Sequence, residues 1–182
     1  MSVPTSDVLH RKIVNDFKLL DHDGDGTITR ADFVPLVDQL TSEFGYAAGS
    51  PEYQKFEQAV VHWWNVLVQN IDKDSDAAIS EDEYVSFYTD TPPETVRASI
   101  DPYVDALFEL IDGDGDGAID GAEFDRYLGT LGIPPDRRKG VFQKLDVNGS
   151  GTLSKDEFRV FMHEFITSDD PNAVGNHLLG LM

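Results

Sequence analysis

Four stretches of twelve residues carry oxygen-bearing side chains at the same spacing, and this spacing suits the binding of a hard divalent cation. Acidic, amide or hydroxyl side chains occupy positions 1, 3 and 5, an aliphatic residue occupies position 8, and a carboxylate stands at position 12. The stretches, called loops 1 to 4 below, are residues 21–32, 72–83, 112–123 and 146–157. Calcium takes roughly six to eight oxygens at about 2.3–2.6 Å, and a short loop supplies them only from positions like these.

The side chains at positions 1, 3, 5 and 12 are the predicted metal ligands. They are Asp21, Asp23, Asp25 and Asp32 in loop 1; Asp72, Asp74, Asp76 and Glu83 in loop 2; Asp112, Asp114, Asp116 and Glu123 in loop 3; and Asp146, Asn148, Ser150 and Glu157 in loop 4. Position 7 of such a loop contributes a backbone carbonyl. The residues at this position are Thr27, Ala78, Ala118 and Thr152. Position 9 often acts through a water, and it is held by Thr29, Ser80, Asp120 and Ser154.

The loops differ in charge, and loop 3 fits the pattern best because carboxylates occupy positions 1, 3, 5, 9 and 12. Loop 4 carries the neutral ligands Asn148 and Ser150, which lower both the repulsion within the loop and its attraction for calcium. Loop 1 ends in Asp32, whose side chain is shorter than glutamate and closes the shell with two oxygens less easily. A smaller, six-coordinate shell suits magnesium. We therefore expect magnesium to compete with calcium, especially at residues 21–32.

Loop 2 departs from the pattern at position 6, where Ala77 stands in place of glycine. This position usually takes a positive φ, and a Cβ there costs about 1 kcal/mol. The ligand set of loop 2 is otherwise complete, so the sequence predicts weakened binding rather than none. We expect at least three bound calcium ions, at loops 1, 3 and 4, and leave open a fourth at loop 2.

Apolar residues bracket each loop in the same register, which indicates a repeated helix–loop–helix unit. They precede position 1 by one and by four residues, occupy position 8 and follow position 12: Leu20, Phe17, Ile28 and Phe33; Ile71, Val68, Ile79 and Tyr84; Ile111, Phe108, Ile119 and Phe124; Leu145, Phe142, Leu153 and Phe158. An Asp- and Gly-rich stretch is also typical of a surface turn. Four such stretches with matching apolar residues favour the metal loop.

The repeat predicts an all-α fold in which four such units form two paired lobes packed into one compact globule. The lobes are residues 1–90 and 91–182, because Thr91-Pro-Pro-Glu94 resembles a capping box that opens a new helix. The loop starts are not evenly spaced, and an insertion lengthens the connection between loops 1 and 2. No long polar stretch separates the lobes, so we expect them to touch.

Capping residues, prolines and apolar spacing predict the helices around the loops. A helix is predicted over residues 7–20, and a longer one from a cap at Ser50 to Ile71. Pro102 should kink or split the helix that precedes loop 3. The sequence His62-Trp63-Trp64 could line a cofactor cavity, but aromatic residues at helical spacing more often belong to the core and the helix surface.

The charge distribution also favours a metal-binding protein. Of the 34 acidic residues, 18 lie in the four loops, and the chain of 182 residues has a formal net charge of −20. Metal should therefore stabilise the protein by relieving repulsion. A nucleic-acid partner is not expected, because a basic face is missing. The chain has no cysteine, which excludes disulfides and thiolate metal sites.

The N-terminus predicts neither secretion nor membrane attachment. Residues 1–7 lack a basic and an apolar region typical of a secretory signal, and Ser2 replaces the glycine that N-myristoylation needs. No apolar run approaches the roughly 18 residues of a membrane span. We expect a cytoplasmic protein without a membrane partner.

The unit spacing, the long first insertion and the C-terminal sequence Ser168-Asp-Asp-Pro-Asn-Ala-Val-Gly-Asn-His-Leu-Leu-Gly180 resemble the sarcoplasmic calcium-binding proteins and their bacterial calerythrin-like members, within the EF-hand superfamily. The resemblance covers essentially the whole chain. It implies a compact all-α fold of two EF-hand pairs and a role in calcium and magnesium buffering. Members of this family commonly have one or two inactive loops, whereas this chain keeps plausible ligands in all four.

Three functions compete at this point. The first is a calcium buffer or signal modulator, monomeric, with metal ions as its partners and an uncertain protein target. The second is a calmodulin-like sensor, although its methionine-rich groove is poorly matched by a chain with three Met, two of them at the termini. The third is a protein similar to the calcium-triggered photoproteins, with His62, Trp63 and His177 around a luciferin. The first two predict no enzyme activity, and no catalytic residue is assigned.

Overall fold

The computed structural model describes residues 6–72 and 76–180, and its regular structure is mostly helical. The α-helices are α1 Ser6–Leu20, α2 Arg30–Glu43, α3 Pro51–Ile71, α4 Glu81–Asp90, α5 Pro93–Ile111, α6 Gly121–Thr130, α7 Pro135–Arg138, α8 Val141–Leu145 and α9 Lys155–Thr167, followed by a 3₁₀ helix, Val174–His177. The strands are β1 Thr27–Ile28, β2 Ile79–Ser80, β3 Ala118–Asp120 and β4 Thr152–Ser154. None of the described helices is long and apolar enough to cross a membrane.

Short antiparallel strands join the loops in pairs. β1 pairs with β2 and places Ile28 opposite Ile79, while β3 pairs with β4 and places Ile119 opposite Leu153. All four of these side chains are fully buried. The aliphatic residue at position 8 therefore has a packing role as well as a place in the repeat, because it anchors each loop in the core beneath its partner loop.

The helix that begins after the first insertion starts as the sequence predicts. The Ser50 hydroxyl accepts a hydrogen bond from the Tyr53 amide at 3.2 Å and caps the helix. Pro51 stands in the first turn, where backbone N–H groups have no partner within the helix, so the N–H that proline lacks is not needed. The helix then runs to Ile71 and buries Trp63 and Trp64 against Phe33, whereas His62 is exposed. The interpretation of this triplet as core and helix surface is confirmed.

The following helix differs from the prediction at its start, and of the two outcomes predicted at Pro102, a kink or a split, the split is wrong. The capping box at Thr91 does not form, because α5 starts one residue later, with Pro92 as a cap that lacks a side-chain hydrogen bond, while Thr91 ends α4. Pro102 does not split α5, which continues to Ile111. A proline removes one helical hydrogen bond. Buried residues on both sides of it, Ile100 and Val104, keep the two halves packed on the core.

The fourth unit has a shortened entering helix. The residues before loop 4 form the separate helices α7 and α8, and Gly140 between them adopts a left-handed conformation at φ 81°. Such a φ favours glycine, and it turns the chain so that Val141 and Leu145 of α8 are buried.

The core is continuous across the middle of the chain, which confirms the prediction of a compact all-α fold. The ring of Trp63 in α3 stacks on Tyr103 of α5 at a centroid distance of 5.0 Å, and Phe56 packs on the same tyrosine at 6.1 Å. At the surface, Lys55 of α3 forms an ion pair with Glu109 of α5. These contacts join the first half of the chain to the second.

One acidic group lies against this core. Asp16 of α1 accepts a hydrogen bond from the Tyr84 hydroxyl at 2.7 Å, and Tyr84 is fully buried. Burial raises the pKa of the Asp16 carboxyl to about 6, with the Tyr84 hydrogen bond acting in the opposite direction. The folded protein therefore favours the protonated carboxyl more than the unfolded chain does. Its contribution to stability is present at low pH and is lost as the pH rises through about 6.

Replacing Asp16 with Asn should reveal this dependence, because the amide is neutral at every pH and can still accept the Tyr84 hydrogen bond. The free energy of unfolding of Asp16→Asn minus that of the wild type should increase by on the order of 1 kcal/mol between about pH 5 and about pH 7.5. Urea denaturation at the two pH values measures the difference. The same substitution at the exposed Asp136 is the control for loss of a surface carboxylate. A difference for Asp16→Asn that does not change between the two pH values would contradict the assignment.

Candidate metal centres

Backbone amides of each loop hold the carboxylate at position 1 in a fixed place. In loop 1, the Asp21 carboxylate accepts hydrogen bonds from the amides of Asp25 at 3.1 Å and Gly26 at 3.0 Å. The equivalent amides bind the equivalent carboxylates in the later loops: Asp116 and Gly117 to Asp112, and Ser150 and Gly151 to Asp146. The turn thus brings position 1 over positions 5 and 6, as the predicted coordination requires.

Carboxylates converge in loops 1 and 3. In loop 1, carboxylate oxygens of Asp21, Asp23 and Asp25 all lie within 4.8 Å of one another. In loop 3, the oxygens of Asp112, Asp114 and Asp116 do the same. Two ligands on opposite sides of a calcium ion are about 5 Å apart, since each lies at about 2.3–2.6 Å from it. The three oxygens in either loop therefore fit around a single ion. These are hard oxygen donors, which match calcium and magnesium rather than softer metals.

In loop 4 the predicted ligands are drawn together by hydrogen bonds among themselves. Asn148 accepts from the Ser150 amide at 2.8 Å through its side-chain oxygen, and its side-chain nitrogen donates to Glu157. The Ser150 hydroxyl donates to the Thr152 carbonyl at 2.8 Å. The residues at positions 3, 5, 7 and 12 are thus neighbours.

Loop 2 is described in part, because Asp74 lies outside the described residues. The remaining carboxylates make the same kinds of contact as in the other loops: Asp72 accepts from the Ala77 amide at 3.1 Å, Asp76 from Ala78 at 2.8 Å, and Glu83 from Ser80 at 3.0 Å. Ala77 has a φ of 62° and is the only non-glycine with positive φ over residues 6–72 and 76–180. The predicted backbone conformation at position 6 is confirmed, and a Cβ in this conformation is expected to be strained.

The residues at position 7 lie where the loops enter the short sheets. Thr27, Ala118 and Thr152 are the first residues of their strands, and Ala78 directly precedes β2. Pairing of the strands fixes the backbone at Thr27, Ala118 and Thr152, which is consistent with the prediction that their carbonyls are ligands.

Positions 9 and 12 have a second role that the sequence analysis missed. Thr29, Ser80, Asp120 and Ser154 are the N-caps of α2, α4, α6 and α9, and each forms a reciprocal capping box with the carboxylate at position 12. The carboxylate that closes a loop therefore also starts the next helix. A Ser, Thr or Asp followed three residues later by an acid is the known sequence signal for this arrangement, and all four loops contain it.

Asp32 takes the place of glutamate in loop 1 without a change in its hydrogen-bond partners. Its two oxygens accept from the amides at position 2, His22 at 3.1 Å, and position 9, Thr29 at 2.8 Å. Glu123 of loop 3 accepts from the equivalent amides, of Gly113 and Asp120. Asp32 is only 6% exposed. The shorter side chain thus keeps the capping box.

Comparisons with known proteins agree with this geometry. Residues 11–89 and 104–162 match the family of EF-hand domain pairs. Calerythrin from Saccharopolyspora erythraea is 27% identical over 165 residues, which cover 88% of this chain and 93% of calerythrin. A calcium-binding protein from Streptomyces coelicolor, solved in a study of prokaryotic calcium-mediated regulation, is 31% identical with a TM-score of 0.77, covering 88% of this chain and 98% of that one. A sarcoplasmic calcium-binding protein from amphioxus shares the fold, with a TM-score of 0.76 at 23% identity, covering 96% of this chain and 97% of that one.

Substitution of the closing carboxylates should remove individual sites. Glu123→Gln and Glu157→Gln should each lower the number of bound calcium ions by one, because a neutral amide cannot supply two anionic oxygens. Calorimetric titration of metal-free protein measures the stoichiometry, and Glu94→Gln, at an exposed position outside the loops, is the control. Unchanged stoichiometry in both loop variants would refute the assigned ligands.

Relief of the backbone conflict at position 6 should strengthen loop 2. Ala77→Gly should raise its calcium affinity by up to several-fold, since a Cβ at positive φ costs about 1 kcal/mol. The reverse change in loop 3, Gly117→Ala, should weaken binding there, because Gly117 has a φ of 89°. Competition with a fluorescent chelator measures both affinities. Equal or weaker binding by Ala77→Gly would contradict the assigned strain.

Proposed function

Because the chain belongs to the EF-hand domain pair family, we propose that it is a calcium-buffering protein that binds at least three calcium ions, at loops 1, 3 and 4, with loop 2 as a weaker fourth site. The proposed ligands are the residues assigned above at positions 1, 3, 5, 7 and 12. The observation that carries this proposal is the convergence of three carboxylates in each of loops 1 and 3 to within 4.8 Å. The related Streptomyces coelicolor protein is described as a calcium-binding protein, which supports calcium as the ion.

Magnesium is the proposed competitor, chiefly at loop 1. Asp32 makes the same hydrogen bonds as Glu123 of loop 3, but its side chain is one methylene shorter, so it offers both oxygens to a large ion less easily. Magnesium accepts fewer protein ligands at shorter distances and retains waters. Loop 3, which ends in the longer Glu123, is the proposed calcium-selective counterpart.

Buffering is favoured over target recognition by the way the apolar surface is covered. The sole methionine away from the chain ends, Met162, is 8% exposed, and the C-terminal residues Leu178 and Leu179 are buried. Sensors expose a methionine-rich groove when calcium binds, whereas buffers barely open. Signal modulation is the second candidate, supported by the calcium-mediated regulation attributed to the Streptomyces coelicolor protein.

A photoprotein-like role is disfavoured by the interior of the protein. The central cavity, bounded by residues such as Trp63, Tyr103 and Met162, has a volume of about 50 Å³. Small-molecule sites usually measure about 300–1,000 Å³, so this cavity is too small for a luciferin.

The proposed arrangement is a cytoplasmic monomer of two lobes, residues 1–90 and 91–182. The pairing of β1 with β2 and of β3 with β4 supports this division, since each pair joins two loops of one lobe. Metal ions are the proposed partners, without a nucleic acid, a membrane or an assigned protein target.

Calcium should stabilise the protein without exposing apolar surface. Each independent site adds roughly 2.7 kcal/mol at a calcium concentration 100 times its dissociation constant, so the melting temperature should rise markedly. Fluorescence of a hydrophobic dye, measured with and without calcium beside calmodulin as a positive control, should change little. A calcium-dependent increase as large as that of calmodulin would replace the buffer proposal with the sensor.

A further inference from the structure

A buried lysine of the first helix joins the two ends of the chain. Lys12 is fully buried, and its ammonium group donates to the carbonyls of Glu164 at 2.9 Å and Ser168 at 2.7 Å and to the side-chain oxygen of Asn176 at 2.8 Å. All three of its N–H donors are thus used. Burial lowers the pKa of Lys12 to about 8, against the influence of Glu164 and Asp169, so the group is still charged at neutral pH.

The acceptors of Lys12 belong to two different elements. Glu164 lies in the last turn of α9 and Ser168 directly follows it, so their carbonyls carry the negative end of the helix dipole. Asn176 belongs to the C-terminal segment, defined here as residues 169–180, and is 2% exposed. It also donates to the Asp170 carbonyl at 2.9 Å. Asn176 is therefore the contact through which Lys12 reaches the C-terminal segment.

The C-terminal segment lies in a groove shaped closely to it. A Cβ on Gly175 would come within 2.4 Å of the Phe161 carbonyl and 2.6 Å of the Glu164 Cβ, so a residue larger than glycine cannot approach α9 this closely. The Gly175 amide donates to the Glu164 carboxylate at 2.8 Å. Gly175 is thus held against α9 by its own backbone amide and by a close approach that only glycine permits.

Apolar contacts complete the groove. Leu178 is 0% exposed and Leu179 is 5% exposed, and both form part of the wall of the central cavity beside Met162 and Phe165. At its end, Gly180 lies beside the Arg137 carbonyl, 3.2 Å from where a Cβ would stand. We call the surface formed by Lys12, α9 and residues 133–141 the tail groove.

We propose that the tail groove is a peptide-binding site whose resident ligand is the chain's own C-terminal segment, with Lys12 as the group that recognises it through Asn176. The site selects a five-residue pattern of glycine, asparagine, any residue, leucine and leucine, as in Gly175-Asn-His-Leu-Leu179. When the resident segment leaves, the groove takes a second peptide of this pattern, such as the C-terminus of another copy of the chain.

Thiol labelling tests the role of Lys12, because the chain contains no natural cysteine. In a Leu178→Cys background, Lys12→Met and Asn176→Ala should each speed labelling of the thiol by on the order of ten- to a hundred-fold, the factor expected for a lost hydrogen bond to a charged group. Asn172→Ala, in the same segment but remote from Lys12, should have no effect. Val160→Cys, at an exposed position, gives the rate of an unprotected thiol.

A second thiol distinguishes local release from unfolding. Leu67 of α3 is as deeply buried as Leu178, and labelling in the Leu67→Cys background should not respond to Lys12→Met or Asn176→Ala. Equal acceleration at positions 67 and 178, or no acceleration at position 178, would overturn the role of Lys12.

Binding in trans tests the groove itself, with the full chain as receptor. Gly175→Ala should displace the resident segment by steric conflict and leave the groove intact. A synthetic peptide of residues 170–182 should then bind this variant with one-to-one stoichiometry in calorimetry, and bind the wild-type chain at least tenfold more weakly. The same peptide carrying Gly175→Ala should not bind, and the receptor Gly175→Ala/Lys12→Met should bind at least tenfold more weakly.

Two results would refute the peptide site. One is a protected thiol at position 178 in the Gly175→Ala chain, which would show that the glycine is not required. The other is absence of peptide binding to a Gly175→Ala chain whose segment is released.

Discussion

Convergence of like charges on one point in each loop is the constraint on which the rest of the structure depends. Carboxylates that approach within 4.8 Å of one another repel, and they stay together because backbone amides of the same loop hold them. In loop 3 the Asp112 carboxylate accepts from the amides of Asp116 and Gly117, and Glu123 accepts from those of Gly113 and Asp120. These hydrogen bonds fix the ligand positions and leave the remaining repulsion for a divalent ion to relieve.

The same hydrogen bonds connect the loops to the fold. Each carboxylate at position 12 completes a capping box, so the residue proposed to close the metal shell also sets the first turn of the next helix. Each position-8 side chain enters the core beneath a paired strand. Metal binding and helix positions are thus mechanically coupled, and the continuous core around Trp63 and Tyr103 limits how far the helices can move.

The loops could be predicted from the sequence because their geometry is local. Ligand spacing, the strand residues at position 8 and the positive φ of Ala77 all follow from twelve consecutive residues. The capping boxes were equally local and were missed because position 9 was considered only as a ligand. The capping box predicted at Thr91 and the split predicted at Pro102 are absent, because packing on the core decides where α5 begins and whether it continues. Lys12 and Asp16 could not be predicted, because their partners lie 152 to 164 and 68 residues away, respectively.

Calorimetric titration of metal-free protein with calcium, in the absence and presence of millimolar magnesium, tests the central claim most directly. If the convergent carboxylates are metal sites, the protein binds at least three calcium ions without magnesium, and magnesium lowers the apparent affinity of at least one site. Binding of fewer than three ions, or a binding curve that magnesium leaves unchanged, would contradict the account.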